Sequence, residues 1–281
     1  MWRDKGGGTR WTWPCATASD SAPRTPRWSC AAGATPESAA MSLLIPPRSN
    51  RSELIDQPDQ SAEVLEVALR EIQWVNRHLA GWRVLRSCLP QLLQPIPLEQ
   101  PVRVLDLGTG SADLPLAMAR WGRAHGRSLS ITAVDISAPI LDFARREIGT
   151  EPSVQLVQAD MRRLPFAARS FDLVTCSLFL HHFDPTGAVE LLRIMACHAR
   201  HAILVNDLHR HRIAYWSIQV ISRLRRCSPM FRHDAPLSVL RAYRPQELKD
   251  LLRAAGLTDR RVVRHFPFRL AALGRVQNGV S

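Results

Sequence analysis

Long apolar runs are missing from this 281-residue chain. None approaches the roughly 18 to 20 residues that a helix needs to cross a bilayer, so a soluble protein is expected. A secretory signal is missing too. Residues 1–40 are rich in Ser, Thr, Pro, Gly and Ala, hold four tryptophans and show no continuous apolar stretch. The six cysteines, Cys15, Cys30, Cys88, Cys176, Cys197 and Cys227, form no CxxC pair and no zinc-like spacing with histidine. They are expected to be reduced thiols in a cytoplasmic protein.

What is present suffices for one full-sized core, at 46% hydrophobic content. Residues 1–40 are expected to be a disordered extension; Met41 opens an ordinary N-terminus, so a start assigned too far upstream would explain them. Residues 41–100 predict a helical cap: Leu65, Ala68, Leu69, Ile72, Val75 and Leu79 mark one amphipathic helix, and Trp82 to Leu93 a second. The net charge is +12, and Leu208 to Ser281 carries fifteen Lys/Arg against four Asp/Glu, nearly all of the excess. An anionic partner would be sought there, although arginine-rich surfaces also arise without one.

Val102 to Leu107 is a short apolar run of the kind that forms a buried parallel strand, and it leads into Gly108-Thr109-Gly110-Ser111-Ala112-Asp113. Two glycines two apart let a ligand touch the backbone beside a helix N-terminus. A dinucleotide fingerprint needs a small residue where Asp113 stands, and a carboxylate there would repel a pyrophosphate. Asp106 calls for a cationic partner, so a nucleoside bearing an ammonium and no phosphate fits better.

Asp106, Gly108 and Gly110, with Ala112 in place of a third glycine, resemble the first motif of the class I S-adenosylmethionine (SAM)-dependent methyltransferases. Further residues agree at the right intervals. Asp135 ends the second strand, where a carboxylate can hold ribose hydroxyls. Asp160-Met161 follows the third strand, Val154 to Gln158; the resemblance assigns Asp160 to the adenine amino group and Met161 to its ring, while a capping role is the plainer reading of Asp160. Ser170 to Ser177 is the fourth strand, running into His181-His182, and resembles the small-molecule branch that includes the quinone-biosynthesis C-methyltransferases. The resemblance covers about 103–273 and implies an α/β, doubly wound, seven-stranded Rossmann-like sheet, mostly parallel with the last strand antiparallel and helices on both faces. The methyltransferase domain is then 101–281, with 208–243 as a lid or substrate insertion.

The implied cofactor set is Asp106, Gly108, Thr109, Gly110, Asp135, Ile136, Asp160, Met161 and Ser177, holding SAM and releasing S-adenosylhomocysteine. His181, His182 and His233 are the candidate general bases, with Asn206 and Asp207 facing the acceptor. Arg232 to Pro236 predicts a polar turn beside the substrate cavity. No metal is expected, because the fourth strand ends in Cys176-Ser177 where a metal-assisted enzyme needs carboxylates. The acceptor is expected to be small and aromatic, quinone-like or polyketide-type, and residues 212–226 form a basic amphipathic helix suited to peripheral contact with the inner face of a membrane. Two other readings stay open. An RNA methyltransferase suits the charge but lacks the Asn/Asp-Pro-Pro-aromatic and Pro-Cys sequences of nucleic-acid methylases; a SAM-binding regulator without catalysis is compatible with all three aspartates.

Overall fold

The computed structural model describes residues 47–57 and 59–276; the expected extension of residues 1–40 lies outside them. Seven strands form one sheet in the order β3-β2-β1-β4-β5-β7-β6. They are β1 (Val102–Leu107), β2 (Leu129–Asp135), β3 (Val154–Gln158), β4 (Phe171–Ser177), β5 (Ala199–Leu208), β6 (Thr258–His265) and β7 (Arg269–Arg275). The first five are parallel. β7 runs antiparallel to β5 on one side and to β6 on the other, so β6 forms the edge. This is the expected doubly wound α/β sheet. Its order reverses between β1 and β4, and ligands of such sheets sit beyond the strand ends at that switch.

Eight helices accompany the sheet among the described residues: α1 (Ala62–His78), α2 (Gly81–Leu93), α3 (Asp113–Ala124), α4 (Ala138–Ile148), α5 (Pro185–His198), α6 (Arg212–Leu224), α7 (Pro229–Arg241) and α8 (Pro245–Ala254). Strand alternation divides the core into two layers. Val102, Val104, Ile131, Leu173 and Leu204 face α2 and α3. Leu105, Leu107, Val174, Cys176, Ile203 and Val205 face α5 and α8. Burial on both faces explains why β1 and β4 read as nearly continuous apolar runs. A third, smaller cluster joins α1, α6 and α7 through Val75, Ala214, Ile218, Phe231 and Val239.

Local signals set most helix starts. Ser61, Ser137, Asp184 and Ser228 each accept an N–H from the first turn of α1, α4, α5 and α7, and proline stands in the first turn of the last three. The expected polar turn at Arg232–Pro236 is not a turn: all five residues lie inside α7. An interior proline costs about 3 kcal/mol, and burial of Met230, Phe231, Leu237 and Val239 outweighs it. β5 also extends past the expected Ala202–Val205, because it is paired along both edges. Cys88, Cys176 and Cys227 are buried thiols. Among the described residues no helix is long and apolar enough to cross a membrane.

The turn after β1 needs its glycine for two reasons. Gly108 has φ +64°, and a Cβ there would lie 2.5 Å from the Phe179 ring. Left-handed backbone costs other residues about 1–2 kcal/mol, and overpacking about 1–3 kcal/mol more. Gly108→Ala should therefore lower stability by about 2–4 kcal/mol in urea unfolding; a loss under about 0.5 kcal/mol would show that Phe179 does not pack there.

Candidate active site

A cavity of about 930 Å³ opens at the carboxyl ends of β1, β2 and β4. Its polar end is made by Asp106, Gly108, Thr109, Gly110, Ser111, Asp113, Asp135, Ile136 and Ser177, with Ala159 and Met161 beside them. Asp106 is buried and accepts from Thr175 Oγ1 at 2.6 Å. Burial pushes its pKa up to about 6, and the nearby Asp113 and Asp135 charges add to the rise. Asp135 accepts from the Gly110 N–H (3.1 Å) and the Ser137 N–H (3.0 Å), so it ties the glycine turn to the end of β2. Three carboxylates facing one space constitute a demand for positive charge.

Beneath this end runs a buried chain of polar contacts. Asp113 accepts from Asn76 Nδ2 at 3.2 Å, and Asn76 Oδ1 accepts from Arg269 Nη2 at 3.1 Å. Arg269 also donates from Nε to the Leu79 carbonyl (3.2 Å), and burial lowers its pKa to about 10. The chain fixes the end of α1 against the start of α3.

The other polar group is assembled from four distant segments. Asp207, at the end of β5, accepts from the His181 N–H (3.0 Å) and pairs with His181 Nδ1 (2.7 Å). Burial would raise the Asp207 pKa, but His181 overrides it and holds the carboxylate low. The other ring nitrogen of His181 lies 3.6 Å from Glu53 Oε1. His182 Nδ1 meets Asp56 at 2.9 Å and its Nε2 lies 4.0 Å from Glu53 Oε2. Burial would lower the His182 pKa; the Glu53 and Asp56 charges prevail and raise it to about 9. Glu53 is 3% exposed, accepts from Ser238 Oγ (2.8 Å), and faces Arg241 Nε at 3.4 Å.

Long-range contacts hold this group in place. Asp234 of α7 accepts from the Leu54 and Ile55 N–H groups (2.9 and 3.0 Å), which fixes the turn that delivers Glu53 and Asp56. Arg48, Arg241 and the Tyr243 hydroxyl donate to carbonyls of His181, His182 and Phe183.

Of the expected residues, the structure brings Asp106, Gly108, Thr109, Gly110, Asp135, Ile136, Met161, Ser177, His181 and His182 to one cavity. Four stand elsewhere. Asp160 caps the turn Met161–Arg163 by accepting from the Arg162 N–H and does not line the cavity. His233 is 37% exposed on α7, turned to Asp234, outside the cavity wall. Asn206 donates to the Gly81 carbonyl (3.0 Å), and Asp207 is consumed by His181, so neither side chain faces an acceptor. Both are buried beneath the site because β5 is covered on both faces. Glu53, Asp56 and Arg241 were not expected, whereas Asp234 and Ala235, from the segment expected beside the cavity, do line it. The one signal for the first two was an acidic pair just ahead of the first amphipathic helix.

The rest of the wall is apolar, from Leu65, Leu69 and Ile72 of α1, Ile213 and Ile218 of α6, and Phe231 of α7. A family model described as a methyltransferase domain matches residues 104–201. The demethylmenaquinone methyltransferase of Deinococcus radiodurans is 27% identical over 230 residues, 75% of this chain and 91% of that one. Over these spans the chain is similar to the SAM-dependent methyltransferases. The demethylmenaquinone methyltransferase of Clavibacter sepedonicus is 35% identical over 152 residues, but the match spans only 57% of its length and 52% of this chain. Human N-acetylserotonin methyltransferase shares the fold, with a TM-score of 0.56 at 18% identity over 77% of this chain and 56% of that one. The protein is thus a small-molecule methyltransferase with SAM as methyl donor.

Among the described residues of the methyltransferase, one group has metal-ligand spacing: atoms of Glu53, His181 and His182 lie within 4.8 Å of one another. Its two histidines follow the end of β4, the strand end on which the expectation of no metal rested. The Arg241 guanidinium lies 3.4 Å from Glu53 Oε1.

Because His182 has a folded-state pKa of about 9, above the ordinary value of 6.5, its stabilising contribution is complete below about pH 6.5. The contribution is lost as pH rises through about 9. Urea unfolding of the methyltransferase should show a loss on the order of 3 kcal/mol between pH 7 and pH 10. His182→Asn should flatten that decline, and an unchanged profile would contradict the charged pairing.

Proposed function

We propose that this enzyme methylates an apolar ring acceptor carrying an ionisable hydroxyl, a phenol, quinol or polyketide-type ring, by means of the Glu53–His181–His182 group. The observation that carries this reading is the continuity of one cavity: a carboxylate-lined polar end, a histidine–carboxylate group and a broad apolar wall. About 930 Å³ lies near the top of the range for ligand pockets and leaves room for donor and acceptor together. The relatives named demethylmenaquinone methyltransferase support a quinone-like ring.

The polar end suits SAM. The open side of Gly110, where an added Cβ would have only Leu69 within 4 Å, admits a close approach to the backbone. Asp106 would take the ammonium, Asp135 the ribose hydroxyls, and Met161 the adenine face, with Gly108, Thr109, Gly110, Ile136 and Ser177 completing the cradle. When bound, the cofactor supplies an electrophilic methyl group whose S–CH₃ bond breaks as the acceptor bond forms, leaving S-adenosylhomocysteine. The chain's own task is to align the acceptor and take its proton. His181, with Nδ1 donating to Asp207, presents Nε2 as the base. His182, held cationic by Glu53 and Asp56, donates to an acceptor oxygen and favours its anionic form. Glu53 receives the proton relayed from His181, with which it shares a 3.6 Å contact. α6 and α7 form the lid that excludes water.

Calorimetry with S-adenosylhomocysteine should show binding to the parent that is lost or much weakened in Asp135→Ala. With labelled SAM and phenol or quinol acceptors, His181→Gln and Glu53→Gln should each lower kcat by about 10²–10⁴-fold. Their S-adenosylhomocysteine affinity should stay within about twofold. Full turnover in both variants would rule out this base assignment.

A further inference from the structure

We propose that the outer face of α6 docks the enzyme on an anionic bilayer, with the cavity mouth against the lipid. The proposal rests on the reading of an apolar acceptor above, since such a molecule partitions into membranes.

α6 is apolar on two sides. Ala214 and Ile218 are buried against α1 and α7. Ile213, Trp216, Val220 and Leu224 are 59%, 60%, 54% and 78% exposed. Their spacing of three, four and four residues places them on one outward stripe. A helix with large apolar side chains on both sides calls for a second cover, and a contiguous exposed stripe marks an interaction surface. The stripe leads into the cavity, because Ile213 lines the cavity wall together with Ser217 and Ile221 from the same helix. Phe266, 79% exposed before β7, lines it as well. Ile213 therefore belongs both to the outer stripe of α6 and to the wall of the cavity.

Charge selects the occupant. From Leu208 to His233 the sequence holds six arginines and no acidic residue. Arg212, Arg223, Arg225 and Arg226 are exposed along or just beyond α6. Glu71, the acidic residue that reaches this region from α1, is taken up by the Ser228 N–H and hydroxyl at 2.7 and 2.6 Å. A second copy seated on the stripe would bring arginine against arginine, whereas anionic headgroups satisfy the arginines while the acyl boundary receives the Trp216 and Leu224 side chains.

The test is co-sedimentation of the full chain with phosphatidylcholine vesicles, with and without phosphatidylglycerol. The parent should sediment with the anionic vesicles, and added salt should weaken the binding. Trp216→Ser with Leu224→Ser should weaken it at least about tenfold, and Arg223→Glu with Arg226→Glu should remove the preference for phosphatidylglycerol. S-adenosylhomocysteine binding, measured on every variant, should not change. Failure of the parent to sediment, equal sedimentation by the Trp216/Leu224 variant, or a parent dimer that this variant dissolves would overturn the proposal. If vesicles bind while S-adenosylhomocysteine does not, the donor-site reading fails and the docking stands.

Discussion

The active region depends on a set of buried opposite charges meeting at one turn. His181 and His182 follow β4 directly, yet each ring is held by a carboxylate from elsewhere: Asp207 from β5 and Asp56 from the segment before α1. Glu53 stands between them, and Arg241 balances the local excess of negative charge. Groups this deeply buried are tolerated only when paired, so the turn, the pre-α1 segment and α7 have to fold together. The same requirement gives the two histidines different electrostatic settings. His182 sits between two carboxylates and is held cationic, while His181 keeps one nitrogen occupied by Asp207 and turns the other toward Glu53.

This arrangement divides the work within a single cavity. The strand ends of the Rossmann-like sheet present carboxylates and bare glycine backbone, which suits a cationic nucleoside. The cap of α1, α6 and α7 presents apolar side chains, which suits a ring or a tail. The charged turn lies at the border between the two, where a hydroxyl-bearing ring would meet an activated methyl group. Methyl transfer asks the protein for alignment and proton removal more than for a nucleophile of its own, and the proposed role of His181 and Glu53 is that proton removal.

Where local chemistry decides, the reading from sequence held. The strand–glycine–helix run at Val102 to Asp113, the acidic residue ending β2 and the apolar period of α1 each stem from contacts within a few residues. Sheet order followed from these elements together with the family resemblance. Local reasoning failed where a tertiary contact outweighed it. Pro236 signals a turn, but the apolar side chains around it are buried and α7 continues through it. Asn206 and Asp207 looked like pocket residues because they end a strand, but β5 is covered on both faces and their side chains bond inward. His233 differs from His181 in nothing visible along the chain.

The amino-acid sequence by itself determined the α/β class, the glycine turn and the carboxylates that point to a SAM-type donor, because these depend on side-chain period and backbone freedom over short spans. Tertiary structure alone decided which histidine meets which carboxylate. Glu53 reaches His181 across 128 positions of chain, and Asp234 reaches Leu54 across 180. Such pairs leave no periodic mark in the sequence, since their residues share neither an element nor a spacing. They form because folding brings charges out of water together, and each then requires the others.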